Sequence, residues 1–239
     1  EDSIKDKLIL KDRSSFNIEN AKIDKTSLIN ALKDAGYYLP EVNISIEELK
    51  DNKINLTYLI DTGDKAKISK ISFLGNKQFK DGKLKSIILS EEYKFWKIIS
   101  KKKFLNENLI DFDTRLLSNF YKNNGYHNVI IESSFANYLG DNKFELIFNI
   151  NAGKRFYFND FELELPDNYD IDNFKGLLVT FQNLKGEYYS LNRIDNILKE
   201  IDQIALTKQY EFLSSTVIEN IDEDLINFKF NIIELDKMY

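Results

Sequence analysis

Three stretches of the chain alternate between apolar and polar residues at every second position. Their apolar positions are Ile54, Leu56, Tyr58 and Ile60, then Phe144, Leu146, Phe148 and Ile150, then Ile226, Phe228, Phe230 and Ile232. This period predicts β-strands with one apolar face that is covered and one polar face that is not. A second, earlier strand is predicted before each of them, at residues 42–46, 129–135 and 213–218.

The segments before the last two strand pairs have apolar residues at helical spacing. Apolar residues recur three or four positions apart in two segments: Leu109, Phe112, Leu116 and Phe120, and Ile194, Ile197, Ile201 and Ile204. Asn106 and Ser190 stand where each helix would begin, so we predict both as N-caps. At the start of the chain, EDSIKDKLIL is predicted as a helix with no strand before it.

Glycines mark an internal repeat. Gly36-Tyr37 and Gly125-Tyr126 lie 89 positions apart, and Gly63 and Gly153 lie 90 apart. Gly125, which follows the helical segment of the middle copy, fits a left-handed helix C-cap. A third copy is weaker, because Gln209 precedes Tyr210 where the other copies have glycine.

The strands after Gly63 and Gly153 share an irregular apolar spacing. Their apolar residues are Ile68, Ile71 and Phe73 in one strand, and Phe158, Phe161 and Leu163 in the other. The first two apolar residues of each strand are three positions apart, where a regular strand would have them two apart, and this spacing predicts a bulge or bend. We therefore predict three domains, 1–63 with its first strand missing, 64–153 and 154–239, with Gly63 and Gly153 as interdomain hinges.

The strand order within each repeat predicts where a partner would bind. A right-handed crossover places the first strand parallel to the last one and leaves the second strand at the edge. An edge strand offers unpaired N–H and C=O groups to another chain. The predicted partner-binding edge is Val129, Ile130, Ile131, Glu132, Ser133, Ser134 and Phe135, and a secondary edge is Val42, Asn43, Ile44, Ser45 and Ile46. The alternative is an ordinary edge protected by Glu132.

Composition excludes several classes of function. The net charge of −6 leaves no basic excess to neutralise nucleic-acid phosphates. The chain has no cysteine, which excludes disulfides and thiolate sites. No apolar run reaches the roughly 20 residues of a membrane helix, and no signal peptide is recognisable. We therefore expect a piece of a longer array if the protein is exported.

Candidate chemistry is sparse, and we expect no catalytic residues, no metal site and no cofactor. His127 is the single histidine and is predicted as a surface or turn residue. Asp111 and Asp113 do not share a helical face and are predicted to be solvated. Phe95 and Trp96 form either an aromatic anchor for a partner or part of the local core. The lysines at 101–103 are either solvated or placed to meet anionic lipid.

The sequence resembles the POTRA family of tandem periplasmic domains. The resemblance lies in Gly-Tyr before the second strand, in ISKISFLGNKQF (68–79), and in the middle segment YKFWKIISKKKFLNENLIDFDTRLLSNFYKNNGY (93–126). It implies an α+β fold of tandem POTRA domains, each β-α-α-β-β with two helices on a three-stranded mixed sheet. The middle segment is similar to BamA-like outer-membrane assembly factors, of which the three repeats would be the second to fourth of five.

This resemblance also implies a function. It implies a scaffold in the periplasm, part of an outer-membrane protein whose membrane barrel lies outside this piece. The partners would be unfolded outer-membrane β-barrel precursors and accessory lipoproteins similar to BamB, which would dock along residues 129–135 by β-augmentation. The alternative function is the POTRA arm of a two-partner secretion transporter. Other rivals are a catalytic domain and a purely structural spacer.

Overall fold

The computed structural model describes residues 5–6, 8–94, 96, 100, 102–210 and 213–234. In chain order its elements are α1 (Ile18–Asp34), β1 (Glu41–Leu49), β2 (Lys53–Asp61), β3 (Lys67–Asn76), α2 (Asp81–Lys85), α3 (Glu107–Lys122), β4 (Ile130–Gly140), β5 (Lys143–Asn151), β6 (Tyr157–Glu164), a 3-10 turn (Ile171–Phe174), α4 (Lys175–Leu184), α5 (Leu191–Thr207), β7 (Leu213–Asp222) and β8 (Leu225–Glu234). In the described part of the chain, no helix combines the length and apolarity needed to cross a bilayer.

The sheets follow the predicted order. Among the described strands, β1 pairs with β2, the middle sheet runs β3-β5-β4, and the last sheet runs β6-β8-β7. β8 lies parallel to β6 and antiparallel to β7. The last strand of each complete sheet is therefore central, and the second strand is at an edge. The chain is α+β, as predicted.

The predicted bulge lies in β6. Its register against β8 shifts between Phe158 and Phe161, which turns both side chains toward the helices despite the odd spacing. Phe158 is buried, and Phe161 packs against the same core. In β3, Ile68, Ile71 and Phe73 are all buried at the same spacing.

The apolar faces of the three alternating strands are covered to different extents. All four alternating residues of β5 and all four of β8 are buried. In β2, the corresponding Ile54, Leu56 and Tyr58 are only partly buried, and Ile60 is 44% exposed. In the described part of the chain, β2 has one strand neighbour rather than two. Among these residues, side chains of a second neighbouring strand therefore do not flank the apolar face of β2.

The described residues form two compact units. One contains the chain up to Gly75, Phe79–Leu116 and Glu132–Asn149, and the other contains Asn76–Gln78, Leu117–Ile131 and the chain from Ile150. Gly63 lies inside the first unit and Gly153 inside the second. The repeats read from the sequence (1–63, 64–153 and 154–239, hereafter the first, middle and third repeat) therefore do not coincide with these units.

The helix predicted at the start of the chain lies largely outside the described residues; Lys5 is helical, whereas Leu8, Ile9 and Leu10 are not. Within it, Lys5 and Leu8 close a single turn through a Leu8 N–H bond to the Lys5 carbonyl (3.2 Å). Ile9 and Leu10 are irregular, and residues 1–4 and 7 lie outside the described part. The helix that covers the first repeat is α1, whose N-cap Asn17 accepts a bond from the Glu19 N–H.

Asp113 is not solvated, which corrects the prediction for that residue. Its side chain is fully buried and accepts bonds from the N–H groups of Leu89 (2.6 Å) and Ser90 (3.1 Å). In the first repeat, buried Asp24 accepts bonds in the same way from the amides of Ile9 and Leu10. Each carboxylate satisfies two consecutive amides that would otherwise lack partners next to the core. Asp111 is exposed, as predicted.

Candidate functional site

The strand predicted to bind a partner is an edge strand. β4 pairs with β5 on one side and has no strand on its other side in the described part of the chain. It is longer than predicted, with 11 residues that end at Gly140 rather than at Phe135. About half of its main-chain N–H and C=O groups point away from β5, because successive residues of a strand face opposite neighbours.

The predicted site residues occupy the first half of β4. Val129 precedes the strand, and its N–H bonds the Tyr126 carbonyl at 3.2 Å. Ile130 is 56% exposed and Ile131 is partly buried. The backbone of residues 132–135 is extended, and their side chains lie outside the described part. The second half, which the prediction missed, exposes Tyr138 and Leu139.

The secondary edge strand is β1. It contains Val42, Asn43, Ile44, Ser45 and Ile46 and pairs with β2 in a continuous antiparallel register, from Glu41 opposite Asp61 to Leu49 opposite Lys53. Its other side has no strand in the described residues. Along this strand, Val42 is buried and Ile46 is exposed.

Only part of the predicted aromatic anchor is described. Phe95 and Lys101 lie outside the described residues, while Trp96 is 62% exposed, with the Lys94 ammonium 5.7 Å from its ring centroid. Lys103 is not solvated, because it is only 4% exposed and its ammonium lies 5.0 Å from the Tyr93 ring. This position excludes Lys103 from contact with a lipid surface.

Gly63 and Gly153 occupy equivalent turns. Both have positive φ, +57° and +67°. The Gly63 N–H bonds the side chain of Asp61 (3.0 Å), and the Gly153 N–H bonds that of Asn151 (3.3 Å). Each turn is therefore a short side-chain-closed bend between the last strand of one repeat and the linking strand that follows it.

The chain builds the same main-chain junction twice. In the first junction (residues 34–38, 65–68 and 103–106), the Ala66 N–H bonds the Gly36 carbonyl and its carbonyl accepts the Leu105 N–H, both at 2.9 Å. In the second junction (residues 123–127, 155–158 and 187–192, with Glu219), the N–H of Phe156 bonds Gly125 and its carbonyl accepts Tyr189, both at 2.8 Å. The first lies within the first compact unit and the second within the other.

A cation lies between two aromatic rings in each junction. The Lys65 ammonium is 5.0 Å from the Tyr37 ring centroid and 4.9 Å from that of Phe104. The Arg155 guanidinium is 5.8 Å from Tyr126 and 4.6 Å from Tyr188. Such contacts stabilise by roughly 0.5–1 kcal/mol at exposed sites. We call this arrangement the cation clamp.

Close packing at the clamp explains why the first two repeats need glycine at the position before the tyrosine. A Cβ on Gly36 would lie 2.6 Å from the Phe104 Cβ, and one on Gly125 would lie 2.6 Å from the Arg155 Cγ. In the third repeat Gln209 takes the same left-handed conformation, with φ of +59°. The Tyr210 N–H still bonds the Ala205 carbonyl, so the turn geometry of the third copy is kept without glycine.

Helix caps also connect the two sides of each junction. Asn106 caps α3 as predicted, accepting a bond from the Leu109 N–H, and its side-chain amide donates to the Asp34 carbonyl at 2.6 Å. Ser190 is the N-cap residue of α5, as predicted, but its side chain makes no cap bond. The Asn192 N–H bonds the side-chain oxygen of Asn123 instead (2.7 Å), so the end of α3 caps α5.

The two junctions differ at the residue that follows Gly-Tyr. Tyr38 stacks on Tyr138 (6.0 Å between centroids, 9° between planes) and contacts Phe144 at 4.7 Å. The matching residue of the second junction is His127, whose Nε2 lies 2.9 Å from a carboxylate oxygen of Glu219 on β7. Its side chain is 18% exposed, so the histidine lies in a turn as predicted but is not a free surface residue.

The electrostatics of this pair reflect their hydrogen bond. The bond with Glu219 raises the pKa of His127 above its ordinary 6.5, against the opposing effect of burial. The same bond lowers the pKa of Glu219 below its ordinary 4.5, again against burial. No signal in the sequence pointed to Glu219, which lies 92 positions further along the chain.

A metal ion in a protein is held by several donor side chains. The described part of the chain contains no group of three or more histidine and carboxylate side chains that could hold a metal ion. His127 and Glu219 form a contact between the turn before β4 and the strand β7.

Comparisons with known proteins agree with the fold and its repeats. The family model for POTRA, described as surface antigen variable number repeat, matches residues 1–63 and 66–153. The outer membrane protein assembly factor BamA of Buchnera aphidicola is 25% identical over 98% of this chain and 38% of its own length. BamA of Neisseria meningitidis is 24% identical over 97% of this chain and 30% of its own length. The chain thus spans about a third of these relatives.

Solved structures show the same architecture. The POTRA3-5 structure of Haemophilus influenzae BamA superposes with a TM-score of 0.54 at 13% identity, covering 98% of this chain and 90% of that one. BamA of Haemophilus ducreyi lacking POTRA domains 1-3 gives a TM-score of 0.52 at 15% identity, covering 71% of this chain and 29% of that one. At these identities the similarity concerns the fold alone.

Proposed function

Because the chain belongs to the POTRA family, we propose that it is a periplasmic scaffold of the outer-membrane protein assembly machinery. In this proposal it binds unfolded β-barrel precursors and accessory lipoproteins of the BamB kind by adding their strands to its sheet edges. The relatives named BamA match nearly the whole chain, which favours this role over the arm of a two-partner secretion transporter.

The single observation that carries the proposal is the edge position of β4. Its outward main-chain groups can bond an incoming strand of any sequence, because the backbone is common to all clients. Each such bond contributes roughly 0.5–1.5 kcal/mol. About five outward residues along β4 would therefore give a moderate affinity that still permits release. β1 is the secondary docking strand.

We also propose that the predicted domains 1–63, 64–153 and 154–239 change their relative angle at Gly63 and Gly153. These glycines sit in side-chain-closed turns that leave one residue at positive φ. A change there would have to strain the main-chain bonds of the junctions, which limits its range. Such limited movement would let the docking edges adjust their positions to a bound precursor.

Proline scanning of β4 tests the docking proposal. Adjacent residues point their N–H groups in opposite directions, toward β5 or away from it. Of Ile131→Pro and Glu132→Pro, we expect one variant to keep its unfolding midpoint and lose at least tenfold in affinity, because proline removes an outward donor. The other should lose stability, because it removes a bond to β5.

The binding partner in this experiment is an unfolded outer-membrane β-barrel protein diluted from urea, with a lipid-free BamB-like lipoprotein as a second probe. Affinity is measured by fluorescence anisotropy, and folding of each variant by circular dichroism. A matched pair in β7, Thr216→Pro and Val217→Pro, controls for nonspecific effects of proline. If both β4 variants fold and bind like the parent chain, β4 is not the docking strand.

A further inference from the structure

The two junctions place different chemistry at one structural position. Tyr38 contacts aromatic rings alone, whereas His127 contacts a carboxylate. Glu219 projects from β7 on the same side as Val217 and Ile221, which is the side facing the helices. An inward carboxylate on an edge strand requires a partner, and in this junction that partner is His127.

Aromatic rings enclose the histidine. Its ring centroid is 4.7 Å from that of Tyr189 and 5.8 Å from that of Phe156, both at steep angles. Its second nitrogen, Nδ1, is 2.7 Å from the side-chain oxygen of Asn128. Both ring nitrogens face oxygens that accept hydrogen bonds, so this environment suits the doubly protonated imidazolium, which donates from both.

We propose that His127 and Glu219 form a proton-dependent latch that fastens the segment leading into β4 to the edge strand β7. The latch is closed while His127 is protonated and Glu219 is ionised. It loosens when the histidine loses its proton, because a neutral ring can donate from only one nitrogen. The latch deepens the proposed hinge at Gly153 and rests on that part of the proposed function.

Other charged and titratable groups lie near the latch. Lys122, at the end of α3, disfavours the protonated histidine and favours the ionised Glu219. Tyr189 has its pKa raised by burial and by the charges of Glu219 and Asp195. The Lys154 ammonium lies 5.3 Å from the Phe156 ring, on the remaining element packed against the histidine.

The direction of the pH effect follows from the two shifts. The raised pKa of His127 means that its contribution to stability is complete below about pH 6.5 and is lost as pH rises through the folded value. The lowered pKa of Glu219 means that its contribution is complete above about pH 4.5 and is lost as pH falls through its folded value. The latch is therefore most stable between these limits.

Histidine NMR tests the latch without interference from other residues, because the chain has a single histidine. We expect the ring protons to titrate with a midpoint above 6.5 in the parent chain. Glu219→Gln should shift this midpoint downward, because the carboxylate that stabilises the imidazolium is gone. Glu162→Gln, which removes a carboxylate elsewhere in the same sheet, is the matched control and should leave the midpoint unchanged.

Distance measurements test the mechanical consequence. The chain has no cysteine, so spin labels can be placed at exposed Asn119→Cys and Asn196→Cys, which span the second junction. We expect the distance distribution between them to broaden from pH 6 to pH 8 in the parent chain. The pair Asn30→Cys and Asp111→Cys spans the first junction, where Tyr38 takes the place of the histidine, and should not change.

Two results would overturn the latch. One is a histidine midpoint at or below 6.5 that responds alike to Glu219→Gln and Glu162→Gln. The other is a second-junction distribution that does not change with pH, or that changes as much in His127→Tyr as in the parent. Neither experiment contains a binding partner, so a failure of docking at β4 would leave both results interpretable.

Discussion

The two junctions share a main-chain design and differ in the side chains that complete it. Both bond a glycine carbonyl to the next linking strand, and both place a cation between two aromatic rings. The first is closed by stacked rings around Tyr38, and the second by the ion pair of His127 and Glu219. The repeated bonds set the geometry, and the variable residue determines whether the contact depends on pH.

The glycine substitutions should have the largest effect on this comparison. Gly36→Ala forces a Cβ against the Phe104 Cβ, which is fixed to the backbone, whereas Gly125→Ala meets the flexible Arg155 side chain. We expect a loss of about 2–4 kcal/mol for Gly36→Ala, from left-handed strain plus overpacking, and about 1–2 kcal/mol for Gly125→Ala. Urea unfolding monitored by circular dichroism measures both.

Gly140→Ala is the control for backbone strain. Its φ of +91° is similar, but a Cβ there meets nothing within 4 Å. It should therefore lose only about 1 kcal/mol. Equal losses for all three variants would mean that glycine is required by the turn alone and not by the clamp.

The cap substitutions should have an intermediate effect. Asn123→Ala removes the oxygen that caps α5 and should lower stability by about 1 kcal/mol, whereas Ser190→Ala should change it by less than about 0.5 kcal/mol. Asn119→Ala, on the exposed side of α3, is the matched control. Thermal unfolding compares the three. A larger loss in Ser190→Ala than in Asn123→Ala would mean that α5 is capped from its own repeat.

The smallest expected effect is at Gln209, the third Gly-Tyr position. Gln209→Gly should raise stability slightly, by at most about 1 kcal/mol, because glycine adopts the observed φ of +59° without strain. Lys208→Gly, one residue earlier at φ −90°, should lower it. Scanning calorimetry resolves such small shifts. A loss of stability in Gln209→Gly would indicate that the glutamine side chain makes a stabilising contact.

Patterns that are local in the sequence predicted most of the fold. The period-two strands, the glycine caps and the odd step of Phe158 and Phe161 each depend on neighbouring residues, and the crossover rule then placed β4 at an edge. The side-chain details of the junctions could not be predicted in this way. Asn123 meets Asn192, and His127 meets Glu219, across 69 and 92 positions of the chain.

Burial of a charged residue was also beyond the sequence pattern. Asp113 was predicted to lie on a solvated helix face, yet it satisfies the amides of Leu89 and Ser90, which lie 24 and 23 positions earlier in the chain. Lys103 looked solvated because it follows two lysines, yet it packs against Tyr93. In both cases the charge of the residue suggested a solvated position. The loop between α2 and α3 instead places backbone amides next to Asp113 and an aromatic ring next to Lys103.

Amide hydrogen exchange along β4 tests the central claim most directly. The parent chain is exchanged alone and with an unfolded outer-membrane β-barrel precursor, and single amides are read by NMR. Strand addition predicts new protection at alternate residues of 130–140, those whose N–H groups point away from β5, with weaker protection in β1. Protection confined to the helices, or no change in β4 when the precursor is bound, would contradict the account.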